Sequence, residues 1–99
     1  MARTPEGAEK DKVKKYLNSI GAYSYWPVPS GYGRQGVDCY ACAKTGFFLA
    51  IEVKATEKEK PTARQLQTLE QVWKAGGLTY WGTAEQIITA LKDVFGSKK

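Results

Sequence analysis

The chain has 99 residues, a length typical of one domain, and we expect residues 1–99 to form a single folded unit. Fifteen basic side chains against ten acidic ones give a net charge of +5, which favours polyanions as partners. The sequence contains no histidine, which excludes Ser-His and Cys-His nucleophile pairs, a histidine general base and a Cys2His2 zinc site.

The first residues and the hydrophobic pattern predict a cytoplasmic protein that does not enter a membrane. The opening Met-Ala-Arg-Thr-Pro-Glu lacks the apolar region of a signal peptide. No apolar segment approaches the roughly 18 residues that span a bilayer. Two cysteines are too few for a disulfide scaffold, which fits an intracellular location.

The first predicted element is a helix that begins at Thr4 and Pro5 and ends at Gly21. Its apolar residues recur at helical spacing: Val13, Tyr16, Leu17 and Ile20. Glu6 and Glu9 fall within the arc that this apolar face covers, so the helix directs a carboxylate towards the core. For Glu9 we favour an interaction with the dipole of its own helix, whereas the role of Glu6 stays open.

A short aromatic strand at 23–28 is expected next, shortened by Pro27. The following stretch, 30–36, contains Gly-x-Gly-x-x-Gly, the pattern of dinucleotide-binding sites. Such a site needs a strand before the glycines and a helix after them, whereas here prolines precede them and a strand-like segment follows. We therefore expect no nucleotide cofactor and interpret the stretch as a loop that brings Tyr32 and Arg34 to a phosphate backbone.

Two strands, 37–43 and 47–54, are predicted to form an antiparallel hairpin around the turn Lys44-Thr45-Gly46. Alternation along the second strand directs one set of side chains to the core: Phe47, Leu49, Ile51 and Val53. The opposite face carries Phe48, Ala50, Glu52 and Lys54. On the first strand, Cys39 and Cys42 face opposite sides, which argues against a redox pair or a zinc site.

The hairpin brings together charged residues that are distant in sequence. Asp38 lies near the start of its first strand and Glu52 near the end of its second, so antiparallel pairing places the two side by side. If both face the same way, two carboxylates and Lys54 share one patch of sheet, where a divalent cation would relieve the repulsion. The alternative is a structural ion pair between Glu52 and Lys54 at the strand end.

A second helix is expected to begin at Thr62, with Gln65 completing a capping box, and to end at Gly76-Gly77. Its predicted buried stripe consists of Leu66, Leu69, Val72 and Trp73. A strand at 78–81 follows, and Thr83 then caps a last helix. The apolar face of that helix comprises Ile87, Ile88, Leu91, Val94 and Phe95.

This order of elements, with Asp38 followed by the triplet Glu52-Val53-Lys54, resembles the core of the PD-(D/E)XK nucleases. The resemblance is closer to the virus-type replication-repair nuclease (VRR-NUC) domain in its stand-alone phage form, and it covers about residues 4–82. The motifs that carry it are Pro5-Glu6-Gly7, Gly36-Val37-Asp38, Glu52-Val53-Lys54, Gln65 and Gly76-Gly77. The proline that usually precedes the aspartate is missing, and Val37 stands directly before Asp38.

The resemblance implies an α/β fold with a restriction-endonuclease-like core, a small mixed β-sheet flanked by helices in the order α-β-β-β-α-β-α. It also implies site residues. Asp38, Glu52 and the carbonyl of Val53 would hold Mg²⁺ or Mn²⁺. Lys54 would position the attacking water or stabilise charge on the phosphorane, and Glu6 would reach the site through water or a second ion. Gln65 would orient Lys54 or a phosphate, with its capping role as the alternative explanation.

The implied activity is that of a metal-dependent, structure-selective DNA endonuclease, acting as a homodimer on branched DNA such as four-way junctions in a phage-infected or lysogenic bacterial host. Candidates for contact with the DNA are Tyr32, Arg34, Lys44, Lys58, Lys60 and Arg64. For each of the five charged residues taken singly, the simpler interpretation is a solvated surface group. Two alternatives are a non-catalytic nucleic-acid-binding module and a small interaction protein in which the Glu52–Lys54 pair is structural.

Overall fold

Residues 4–28 and 36–96, which the computed structural model describes, form three helices and one four-stranded sheet. The elements are α1 (Pro5–Ser19), β1 (Tyr23–Tyr25), β2 (Cys39–Cys42), β3 (Phe48–Val53), α2 (Ala63–Lys74), β4 (Leu78–Gly82) and α3 (Ala84–Phe95). The strands lie in the order β1-β2-β3-β4, antiparallel except for the parallel pair β3–β4. Helix α2 makes the crossover that a parallel pair requires. The predicted α/β order of elements is confirmed.

Each helix begins where the sequence predicts. Thr4 caps α1 by accepting a hydrogen bond from the Gly7 N–H at 3.0 Å. Thr62 and Thr83 each form a complete capping box with the glutamine three residues later, Gln65 in α2 and Gln86 in α3. These caps satisfy backbone N–H groups that have no partner inside the helix, so they fix the helix starts.

The sheet separates two clusters of buried side chains. Helices α1 and α3 cover one face, where Leu17 and Leu91 belong to the same cluster as Leu49, Ile51 and Val53. Helix α2 covers the other face, where Leu69 packs with Val37 and Ala50. The sequence predicts Glu52 on the face opposite Leu49, Ile51 and Val53, and alternation along β3 places it there. That face is the one that α2 covers.

The predicted buried stripe of α2 is wrong at two positions. Leu69 is buried and Val72 half-buried, but Leu66 is 47% exposed and Trp73 is 65% exposed. The reason is geometric, since α2 packs on the sheet through one narrow side. The adjacent strand β4 is an edge of the described sheet and presents Trp81, which is 43% exposed.

Other expectations fail at the ends of elements. Phe47 and Val94 were predicted to face the core, yet both are about half exposed, Phe47 because it precedes β3 at the hairpin turn. Strand β1 stops at Tyr25 because Pro27 has no N–H for a sheet ladder. Strands β2 and β3 are shorter at both ends than the predicted 37–43 and 47–54. The turn itself is confirmed: Gly46, at φ +96°, donates its N–H to the Ala43 carbonyl at 2.8 Å.

Among residues 4–28 and 36–96, no helix has the length and apolar character that crossing a membrane requires.

Candidate metal centre

The register of the β2–β3 hairpin brings Asp38 and Glu52 together. Cys39 pairs with Ile51, so the next facing pair outwards is Asp38 and Glu52. The two residues are 1% and 0% exposed. Oε1 of Glu52 accepts the Asp38 N–H at 3.0 Å, and Oδ2 of Asp38 accepts the Val53 N–H at 2.8 Å. Each carboxylate is thus oriented by a backbone amide of the facing strand.

The other oxygen of each carboxylate lies beside an ammonium group. Nζ of Lys10 is 3.1 Å from Oδ1 of Asp38, and Nζ of Lys54 is 3.2 Å from Oε2 of Glu52. Two buried carboxylates this close would be strongly destabilising without such positive charges. The Lys10 contact was missed in the sequence analysis, although Lys10 lies one helical turn after Glu6 and so shares its side of α1.

Glu6 completes a cluster of three carboxylates. One oxygen each from Glu6, Asp38 and Glu52 lies within 4.8 Å of the others. Glu6 is in the first turn of α1, and its Oε2 lies 3.5 Å from Nζ of Lys10. Oxygen donors alone suit Mg²⁺ or Mn²⁺ better than a softer metal. Because backbone amides already hold Oδ2 of Asp38 and Oε1 of Glu52, the donor set fits a divalent cation on the side of Oδ1 and Oε2.

Gln65 combines the two alternatives that the sequence left open. Its Oε1 accepts the Thr62 N–H at 2.9 Å, which belongs to the capping box of α2. The same oxygen accepts a hydrogen bond from Nζ of Lys54 at 3.2 Å. The helix cap therefore fixes the amide that in turn positions the lysine, so capping and contact with Lys54 are not exclusive.

Val53 contacts the cluster through its amide, which donates to Asp38. The predicted role of the Val53 carbonyl as a metal ligand stays a prediction.

The predicted DNA-contacting residues lie in different places. Lys58 and Lys60 are exposed in the connection between β3 and α2, and Arg64 is exposed in the first turn of α2. All three are close in sequence to Lys54 or Gln65. Lys44, also exposed, lies in the turn at the opposite end of the hairpin from the carboxylates. Tyr32 and Arg34 lie outside the described residues.

The sequence predicts that Glu9 interacts with the dipole of its own helix. In the structure its carboxylate instead contacts the start of α3. Its Oε1 accepts the Ala84 N–H at 2.8 Å, at the start of α3, and its Oε2 lies 3.0 Å from Nζ of Lys12. The Ala84 N–H lowers the pKa of Glu9 below its ordinary value, against the opposing effect of partial burial. Glu9 therefore links α1 to α3 and takes no part in the carboxylate cluster.

The two thiols diverge as predicted. Cys39 is buried and Cys42 exposed. Burial raises the pKa of the Cys39 thiol to about 12, so this group stays protonated at neutral pH. The pair is unsuited to redox chemistry or to metal binding.

Comparisons with known proteins bear on the fold. The sequence matches no protein-family model and no curated protein. A search of solved structures finds a chain described as a VRR_NUC domain, with a TM-score of 0.75 and 22% sequence identity. The match covers 90% of this chain and 96% of that chain. The resemblance stated from the motifs is thus confirmed at the level of structure: the chain has the fold of a VRR_NUC domain.

Proposed function

We propose that the protein is a metal-dependent endodeoxyribonuclease whose metal is held by Asp38 and Glu52. One observation carries the proposal: two buried carboxylates each have one oxygen fixed by a backbone amide and the other beside a lysine. A structural ion pair would not need a second acid and a second lysine on the neighbouring strand and helix. The VRR_NUC-like fold supports the same assignment.

The roles of the side chains follow from their contacts. A bound Mg²⁺ or Mn²⁺ would supply a hydroxide at neutral pH and stabilise charge on the phosphate oxygens. Lys54, held by Gln65, orients the attacking water or stabilises charge on the phosphorane. Glu6 borders the same cluster from α1 and would hold a water or a second ion. The Val53 carbonyl would add a further oxygen to the metal.

The substrate we propose is DNA. The net charge of +5 and the exposed Lys58, Lys60 and Arg64, which lie close in sequence to Lys54 or Gln65, favour a polyanion. Branched DNA, such as a four-way junction, is the form we propose on the resemblance to the VRR-NUC group.

We also propose a homodimer, formed through the exposed side chains of Leu66, Trp73 and Trp81, here called the α2–β4 apolar surface. Their exposed area is on the order of 300 Å², typical of the largest apolar patch on a small protein. A stable interface buries about 800 Å² per partner, so this surface would form its apolar centre. A symmetric dimer presents two sites, which suits incision of two strands.

The test is cleavage of a labelled four-way junction with Mn²⁺, with Mg²⁺ or with a chelator. We expect cleavage only with a divalent ion. The Asp38→Asn variant keeps an oxygen that can accept the Val53 N–H, so we expect it to fold while its cleavage falls by more than about a hundredfold. Circular dichroism and thermal unfolding of the variant serve as the control for folding.

Two results would contradict this proposal. Binding of the junction without cleavage under every metal condition would favour a non-catalytic nucleic-acid-binding module. Loss of folding in Asp38→Asn, together with no metal dependence in the parent protein, would favour a structural role for the acidic residues.

A further inference from the structure

Lys10 occupies the carboxylate cluster from the α1 side. Its Nζ lies 3.1 Å from Oδ1 of Asp38 and 3.5 Å from Oε2 of Glu6. The Lys10 side chain is 32% exposed, whereas that of Asp38 is completely buried. The Val53 N–H holds Oδ2 of Asp38, so Oδ1 is the oxygen that faces the cluster. The Lys10 ammonium lies beside this Oδ1.

We propose that Lys10 is an internal competitor of the divalent cation: its ammonium neutralises Asp38 when no metal is bound and must leave Oδ1 when a metal binds. The inference rests on the proposed metal site. A cation on the Oδ1 side and the Lys10 ammonium would share one oxygen and repel each other at short range. Metal binding therefore includes the free energy of breaking the Lys10–Asp38 contact.

Lys54 is less suited than Lys10 to move away when a metal binds. Its Nζ is also beside a carboxylate, but Oε1 of Gln65 holds it from the capping box of α2, and its side chain is only 13% exposed. Lys10 stands on a helix, with a long flexible side chain that reaches solvent and with Glu6 as an alternative partner four residues away. Lys10 can therefore move without breaking a helix cap.

This arrangement links metal binding to DNA binding. A phosphate beside the site offers Lys10 another anionic partner and so favours its departure from Asp38. By reciprocity, the metal and the DNA then strengthen each other's binding. We expect the affinity of the wild-type protein for metal to rise when DNA is bound, and to rise less when Lys10 is neutralised.

Calorimetric titration with Mn²⁺ in the absence of DNA tests the proposal. We expect Lys10→Met to bind Mn²⁺ about tenfold more tightly than the wild type, since a repelling charge is removed. The matched control is Lys15→Met, an equal loss of charge on an exposed position of the same helix, whose affinity should stay within about twofold of wild type. Asp38→Asn should abolish binding at this site.

The outcomes separate the two proposals. In one outcome, Asp38→Asn abolishes Mn²⁺ binding while Lys10→Met leaves the affinity unchanged or weakens it. That outcome would overturn the role of Lys10 but would still support the metal site. No Mn²⁺ binding by the wild-type protein would overturn the metal site itself.

A second measurement covers the case in which Lys10→Met does not fold without metal. Lys10→Gln is neutral and keeps an N–H donor, while Lys10→Arg keeps the charge. We expect Mn²⁺ to raise the melting temperature of the two neutral variants, Lys10→Met and Lys10→Gln, more than that of the wild type. The charged variant Lys10→Arg should resemble the wild type. Equal shifts in all proteins, or unfolding of the neutral variants that Mn²⁺ does not reverse, would overturn the proposal.

Discussion

At the scale of single residues, the side chains of the site are oriented by groups from other elements. Asp38 is held by the amide of Val53 on the facing strand. Lys54 is held by Gln65, whose amide is itself fixed by the backbone of Thr62. The hydrogen bonds that position Asp38 and Lys54 thus also stabilise the hairpin and the start of α2. Effects on stability and on activity therefore have to be separated by matched variants.

The two capping boxes provide such a pair. Gln65→Ala and Gln86→Ala each remove the same half of a capping box, so each should cost about 1 kcal/mol of unfolding free energy. Only Gln65 contacts Lys54, so only Gln65→Ala should also reduce cleavage, by about tenfold or more. Denaturant unfolding and junction cleavage on both variants check this. Equal cleavage by the two would show that Gln65 is only a cap.

At the scale of elements, patterns along the chain predicted most of the fold. Strand alternation and the hairpin register were sufficient to place Asp38 beside Glu52, because both follow from local geometry. Contacts between a helix and a distant element could not be derived. Nothing in the helical period states that Lys10 faces Asp38 or that Glu9 reaches Ala84.

The prediction of which α2 residues are buried failed for a related reason. The period of its apolar residues gives the direction of its apolar face but not the width of the sheet beneath it. Leu69 meets that sheet, whereas Leu66 and Trp73 project beyond its closest contacts. Nor did the sequence indicate that one oxygen of Gln65 would serve two donors.

The link between α1 and α3 gives a pH-dependent prediction. The pKa of Glu9 is lowered in the folded protein, so its contribution to stability is present above its unfolded pKa and is lost as pH falls through the folded value. Glu9→Gln should cost about 1 kcal/mol at neutral pH. The difference from wild type should shrink below about pH 4.3.

Urea unfolding across this pH range measures the effect. Glu70→Gln, an equal charge change in an exposed i,i+4 pair with Lys74, is the control and should change stability by less than about 0.5 kcal/mol. A Glu9→Gln difference that stays constant down to the lowest pH would contradict the assigned contact.

At the scale of the whole molecule, the proposed dimer surface lies close to the proposed metal site. Lys58, Lys60 and Arg64 are exposed in the connection before α2 and in its first turn, and the α2–β4 apolar surface lies on the side of α2 that borders β4. Glu52 and Trp81 are register partners in the parallel pair, so the proposed dimer surface lies one strand away from the proposed site. Dimerisation and cleavage are therefore expected to be coupled.

Trp73→Glu tests the dimer. It places a charge in the centre of the α2–β4 apolar surface, so we expect a wild-type dimer to become a monomer in sedimentation experiments. Tyr23→Glu is the matched control, because Tyr23 is 72% exposed on β1 at the opposite edge of the described sheet. It should remain dimeric. A monomeric wild type, or a Trp73→Glu variant that stays dimeric, would exclude this interface.

The central claim is that Asp38 and Glu52 share a divalent cation, and the most direct measurement is anomalous diffraction from crystals of the protein soaked in Mn²⁺. We predict an anomalous peak bound by carboxylate oxygens of both residues, with the Lys10 ammonium moved away from Oδ1 of Asp38. A peak elsewhere on the protein, or no peak with Lys10 still beside Asp38, would contradict the account.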